Sequence, residues 1–405
     1  MPGITKDRRP KKPVVHCVGS RPPFEPQSRC RDVPALQAAE ELLSKDDFAG
    51  AIRSFFQIPV GDDYVYHALA SVKLEEVQRA VEAGGVGGRH AWYRRSEDGQ
   101  PLPSPPQPDV EAYISIFDPA KSAPSALKSF RSNAKKDSIR LACATLLAEK
   151  RFIHPDLTQP LTIPKLRKPS TTNTTSADTH PANPYLTFWA WSCRRLQWCG
   201  PHPTTERVRM AHPVLPVLMH HYGCAVPSRE ALEVLRVLAA GRTVADLGSG
   251  NGYWSFMLRR HGVPTLAVDN EQSLWRANWV DDTVIDDGVA WLRRQEPAGG
   301  RDLVLLLVYP VVGQDGKGEF TRSLLAAYTG DTVAVVGTQN RNGYTGFAGM
   351  TMDQYMEQEA AKDCPSSDKW VRVAQIPLPS FAAKDEALFV FQRGDRAPST
   401  AHVSG

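Results

Sequence analysis

Apolar positions fall into two regimes along the chain. Up to about residue 160 they recur at helical spacing. Leu36, Ala39, Leu42 and Leu43 share one helix face that begins near Pro34. Ala49, Ile52, Phe55 and Phe56 share a second, which Pro59 stops. Leu74, Val77, Ala80 and Val81 share a third, closed by Gly84 and Gly85. Residues 125–150 read as a further helix and 113–117 as a short strand. No period repeats between these segments, so a helical repeat array is not predicted. Residues 99–108 (GQPLPSPPQP) form a proline-rich loop.

Beyond residue 183 the pattern changes. Asn183 and Pro184 open a helix as N-cap and first turn, running toward Gly200. Tyr185, Phe188, Trp189, Trp191, Leu196 and Trp198 make this segment apolar nearly all round, which predicts burial between layers. Ser228 caps another helix, with Leu232, Leu235 and Leu238 at helical spacing before Gly241. Short apolar runs then alternate with helical ones. Strands are predicted at 243–247, 265–269, 283–285, 302–308 and 332–336. Helices are predicted at 253–261, around 274–280, and at 288–294, 320–328 and 352–361. Two last strands, 371–376 and 387–391, have no long helix between them and predict a hairpin. The fold class that follows is α/β: a Rossmann-like, seven-stranded, mostly parallel sheet covered on both faces, with a terminal antiparallel hairpin, preceded by a mainly helical N-terminal region.

Composition adds boundaries. The 405 residues suit about two folded units with irregular segments, and 33 prolines are many for a globular chain. Residues 1–32 read as a disordered basic tail, with Lys6, Arg8, Arg9, Lys11 and Lys12 as a solvated cluster. Residues 33–163 are the helical N-terminal region, 164–182 a Ser/Thr/Pro-rich linker, 183–393 the α/β domain with its cap helices, and 394–405 a second disordered tail. A net charge of +4 is too small to imply a nucleic-acid partner. Seven scattered cysteines without a CxxC predict a reducing, cytoplasmic setting, with the nucleus open because of the basic cluster. No apolar run approaches the roughly 20 residues that span a bilayer.

The chemistry gathers in 243–269, TVADLGSGNGYWSFMLRRHGVPTLAVD. A strand ends near Asp246. A turn follows with Gly248, Gly250 and Gly252, then a helix, then a strand that ends on Asp269. Glycines at such a turn let backbone approach a ligand closely, and an acidic residue closing the next strand can accept two ribose hydroxyls. The unit predicts a nucleoside-containing cofactor.

These residues resemble the class I S-adenosylmethionine-dependent methyltransferases, over about 228–393 only. That family's first motif, an acidic residue followed by G-x-G-x-G, stands here as Asp246, Gly248, Gly250 and Gly252, with Ser249 and Asn251 between. The acidic end of the second strand is Asp269, and the acidic residue after the third is Asp286 or Asp287. The resemblance implies S-adenosyl-L-methionine as cofactor. Asp246 would order the loop, Asp269 hold the ribose, and Asp286 or Asp287 meet the adenine amine, with Asn270 beside them. Trp254 is either a ligand wall or core packing. A dinucleotide fold is the main rival, but its G-x-G-x-x-G fingerprint needs a small residue where Tyr253 stands.

The acceptor is less legible. The fourth strand ends Val308-Tyr309-Pro310-Val311, without the Asn or Asp and second proline usual for amide or amine nitrogen acceptors. Tyr309, with Gln339, Asn340, Asn342 and Tyr344 in the loop after the fifth strand, are the substrate-contact candidates, and no residue is singled out as catalytic. A small molecule or protein is favoured over RNA as acceptor, and Trp189 and Trp191 could cap its site. No membrane partner is expected, and a protein partner could dock through the N-terminal region. Cys193, Cys199, His202, His212, His220, His221 and Cys224 lack a structural-zinc spacing, so no metal is expected. The alternatives are a non-catalytic cofactor-binding or partner-binding module and an NAD-dependent oxidoreductase.

Overall fold

A computed structural model describes residues 24–68, 71–84, 90–163, 181–363 and 369–399. Its strands are β1 (Val65–His67), β2 (Ser71–Lys73), β3 (Phe152–Ile153), β4 (Val244–Leu247), β5 (Thr265–Asp269), β6 (Val284–Ile285), β7 (Val304–Val308), β8 (Thr332–Thr338), β9 (Val371–Pro377) and β10 (Glu386–Gln392). β1 and β2 form a small hairpin. The rest make one sheet in the order β3-β9-β10-β8-β7-β4-β5-β6. β4 to β8 are mutually parallel, and β10 runs antiparallel to both β8 and β9. The α/β fold with a reversed hairpin strand is therefore present. The sheet has eight strands rather than seven, because β3 of the N-terminal region adds to the outer edge of β9.

The pleat sends alternate residues to opposite faces. Ala334, Val336, Leu388 and Val390 bury into one apolar cluster, and Val333, Val335, Phe389 and Phe391 into the other. Helices Gly288–Arg293, Glu319–Ala327 and Met352–Gln358 supply the second cluster. The first is larger. It holds helices Pro184–Leu196, Val214–Tyr222, Arg229–Ala239 and Tyr253–Arg260, together with the N-terminal helices from Phe24 onward. The N-terminal region thus shares its apolar core with the sheet.

Capping sets the helix starts. Asn183 and Ser228 accept from the backbone N–H of Leu186 and Ala231, as their sequence positions predict. Several sequence expectations need correction. Residues 24–32, expected in the tail, are part of the fold: Phe24 is fully buried and Pro26–Arg29 is helical. Residues 113–117 are not a strand. Helix Gln107–Ile114 runs into a 3-10 turn at Ser115–Phe117, because Tyr113 and Phe117 both pack edge-on against Trp189. The helix expected at 125–150 is two, Ala123–Ser132 and Ile139–Lys150. Asp137 at φ +58° breaks it and Ser138 caps the second. No helix forms around 274–280, where the segment is a loop with Leu274 exposed. The last predicted helix divides into Met352–Gln358 and Ala360–Asp363. The basic cluster at 6–12 and most of the expected linker lie outside the described residues. No described helix is long and apolar enough to cross a membrane.

Candidate functional site

The strand order reverses between β4 and β7, and open α/β sheets bind ligands at the carboxyl ends flanking such a point. Two segments meet there: the glycine loop after β4 and Tyr309 after β7. Gly248, Gly250 and Gly252 stand at φ +76°, +58° and +77°. An L side chain reaches that region at a cost of roughly 1–2 kcal/mol. Space is short as well. A β-carbon at Gly248 would lie 3.1 Å from Cζ of Phe320, and one at Gly250 2.9 Å from Cζ2 of Trp275. Trp275 and Phe320 therefore flank the loop. Neither carries a motif signature, and both escape sequence reading.

The acidic residues take distinct positions. Asp246 is fully buried and accepts from Oγ of Ser255 at 2.7 Å. Burial pushes its carboxyl up to about 7, with the Ser255 hydroxyl pulling the other way. Asp269 is half-buried. One oxygen accepts from the Gly250 N–H at 2.9 Å and the other from the Glu271 N–H at 2.7 Å. Each oxygen keeps a lone pair, and the first bond fixes the carboxylate against the glycine loop. Asp286 donates its backbone N–H to the Asp269 carbonyl and pairs its side chain with Arg294. Asp287 caps the next helix by accepting from the Ala290 N–H. Of the two adenine candidates, Asp286 is the one beside Asp269, and Asp287 serves a helix end. Asn270 is exposed and closes a turn on the Gln272 N–H.

Four buried polar atoms around this loop find no partner among the described residues: Oδ1 of Asp246, Oγ of Ser249, Nδ2 of Asn251 and Nε1 of Trp275. An unpaired buried polar group costs about 1–3 kcal/mol. Several in one loop mark a place where a ligand can supply the missing partners.

The acceptor-side candidates divide. Tyr309 takes φ +56°, strained for a bulky residue, and donates its N–H to the Val336 carbonyl at 2.7 Å. Burial holds its phenol well above the usual range. Gln339 is locked in a structural network: its amide donates to Asp385 at 2.7 Å and accepts from Gln375 at 2.9 Å. Asn340 and Asn342 are buried and shape their own loop, with Asn340 accepting from the Asn342 N–H and Asn342 from the Tyr344 N–H. Tyr344 lies under a cation, with Nζ of Lys384 3.2 Å from its ring centroid. Lys384 and Glu386, each 2% exposed, stand at the same edge and escaped sequence reading. Their only signal was a charged run, Lys384-Asp385-Glu386, at the head of an apolar strand.

Other candidates settle as packing. Trp254 is buried and donates to the Ala225 carbonyl at 2.9 Å, inside the core. Trp191 stacks on Phe48 at 5.0 Å, whereas Trp189 donates to the Ser380 carbonyl at 2.9 Å. Of these two, Trp189 reaches the β9–β10 loop, where Trp198 donates to the same carbonyl at 2.8 Å. Among the described residues no three His, Cys, Asp or Glu side chains converge as metal ligands. His220 and His221 instead hydrogen-bond Tyr64 and Tyr66, and Cys193 and Cys199 are buried.

No family model matches the chain, and none of the curated proteins does. Among solved structures it is similar to one described as "a putative sam-dependent methyltransferase from Streptococcus mutans", at TM-score 0.26 and 16% sequence identity. That alignment covers 38% of this chain and 45% of the other, so the chain spans less than half of that neighbour's length.

Proposed function

We propose that this chain is an S-adenosylmethionine-dependent methyltransferase whose donor lies against the glycine loop after β4. The observation that carries the reading is the set of four unpartnered buried atoms around that loop. The set is mixed. Ser249, Asn251 and Trp275 offer donors, whereas Asp246 Oδ1 needs one. An amino-acid tail brings both an ammonium and a carboxylate and suits such a set. A pyrophosphate brings acceptors only and would leave Asp246 unmatched beside two negative charges. Asp269, with a free lone pair on each oxygen, suits a pair of ribose hydroxyls. When bound, the cofactor supplies an electrophilic methyl group on a sulfonium. The chain's own part is binding and alignment, which can carry much of the acceleration of an in-line displacement. Trp275 and Phe320 flank the loop as walls, and Tyr309 presents the acceptor edge. That edge is buried and tyrosine-rich, which favours a small-molecule acceptor over RNA.

The test is stabilisation of the full chain by S-adenosylmethionine, S-adenosylhomocysteine and NAD, for wild type and Asp269→Ala. A ligand at 100 times its dissociation constant adds about 2.7 kcal/mol. The expected result is a response to both adenosyl ligands, lost in the variant. A response to NAD alone overturns the reading. Adenosyl binding without turnover on any acceptor class points to a partner-binding module.

A further inference from the structure

Glu386 opens β10 at the carboxyl edge of the sheet, paired in register with Thr338 of β8. By alternation its side chain shares the face of Leu388 and Val390, the face against which Tyr309 packs. It is 2% exposed, and its Oε2 has no hydrogen-bond partner among the described residues. The charges of Lys384 and Asp385 act on it and the Ser380 hydroxyl bonds its side chain, and it acts in turn on Cys224 and on the phenols of Tyr113, Tyr185 and Tyr309. Asp385 is already neutralised by Nζ of Lys150 at 2.7 Å. Among the described residues Lys384 is the cation that acts on Glu386. It is set in place by Ala383 at φ +72° and by the ring of Tyr344. The constellation is therefore one carboxylate oxygen in need of a donor, one buried ammonium and a lining of tyrosines.

We propose that Glu386 is the base of the acceptor pocket, removing the hydroxyl proton of a phenol-type substrate while Lys384 holds the oxyanion that results. In this step the acceptor O–H bond breaks, its electron pair stays on the acceptor oxygen, and the proton joins Oε2 of Glu386. A cationic amine acceptor would face Lys384 with like charge, and a neutral hydroxyl does not. Burial raises the Glu386 carboxyl and lowers the Lys384 ammonium, each charge partly offsetting the other. A raised carboxyl approaches the phenol range of about 10, and an alkyl alcohol lies much further off. The assignment rests on the methyl-donor reading for its second substrate, but the proton transfer can be measured alone.

The probe is phenol, whose phenolate absorbs apart from the neutral form and is read as a difference spectrum. It is titrated into the full chain with and without S-adenosylhomocysteine at about pH 8, about two units below its own ionisation, where about a hundredth is phenolate and the Glu386 carboxyl, raised to about 8, is partly ionised. Wild type should raise the phenolate band on binding. Glu386→Gln and Lys384→Met should each reduce that rise at least tenfold, and either variant suffices should the other fail to fold. Binding without the band, a band unchanged in the variants, or no binding of the probe overturns the proposal. The methyltransferase reading falls separately, on the absence of stabilisation by S-adenosylhomocysteine.

Discussion

Gly250→Ala separates the cofactor loop from an ordinary turn. The substitution meets two obstacles: φ +58°, and a β-carbon 2.9 Å from Cζ2 and 3.3 Å from Cε2 of Trp275. Gly241 provides the control. It stands at φ +82° with nothing within 4 Å of an added β-carbon, so Gly241→Ala carries the backbone cost alone. That cost is roughly 1–2 kcal/mol. At Gly250 the indole must move as well, and overpacking adds about 1–3 kcal/mol. Trp275 can yield only outward, because Arg276 and Ala277 are tied to the His220 carbonyl just behind it. Its displacement takes a wall from the proposed cofactor site. Equilibrium urea unfolding should place Gly250→Ala below Gly241→Ala by about 1–3 kcal/mol. Calorimetric binding of S-adenosylhomocysteine should weaken at least tenfold in Gly250→Ala, about 1.4 kcal/mol, and stay unchanged in Gly241→Ala. Equal stability and equal affinity in the two variants would refute both the Trp275 contact and the place assigned to the cofactor.

Two further outcomes follow from buried charge. The Asp246 carboxyl is raised to about 7 by burial, so the native state holds its proton more tightly than the unfolded chain. Its contribution to stability is full below the ordinary carboxyl value and is lost as pH rises toward and through about 7. Asp246→Asn should abolish that decline, so the stability gap between variant and wild type must shift in the variant's favour from about pH 5 to about pH 8; a constant gap in urea unfolding contradicts it. Arg276 is 2% exposed, pairs with Asp62 at 2.6 Å and sits 4.5 Å from the Tyr64 ring centroid. Arg276→Ala should cost about 3–5 kcal/mol, and it should weaken S-adenosylhomocysteine binding with no residue of the glycine loop altered. Unchanged calorimetric affinity in the folded variant contradicts the second part.

Sequence reading succeeds here where structure is local. The run Val304–Val308 is apolar at every position and is a buried parallel strand. The glycine turn and its flanking carboxylates lie within one short segment, so their spacing alone discloses them. It fails where distant contacts decide. Residues 113–117 (YISIF) are rich in β-branched and aromatic residues like a short strand, yet the need to bury Tyr113 and Phe117 against Trp189 winds them into a helix end and a 3-10 turn. The segment 133–138 resembles a charged helix face, but Asp137 turns left-handed and Ser138 restarts the helix as a cap. At the proposed acceptor edge, Glu386 and Lys384 come near Tyr309 and Tyr344 through the hairpin's return beside β8. No spacing rule reaches that far along the chain.

The segment 274–280 forms no helix. Its apolar residues do not share a face, because each is used separately. Leu274 is exposed, Trp275 lies against Gly250, and the Trp279 indole donates to the His221 carbonyl at 2.6 Å. The Trp279 N–H goes to the Asn251 carbonyl at 2.8 Å, and Arg276 reaches across to Asp62. A segment without internal hydrogen-bond ladders takes its order from its neighbours. Here those neighbours are the glycine loop on one side and, on the other, helix Val214–Tyr222 and the N-terminal region. The N-terminal region therefore does more than cover the sheet. Through Asp62 and Tyr64 it holds the loop that places Trp275 beside Gly250, so the surroundings of the glycine loop depend on residues nearly two hundred positions away from its motif.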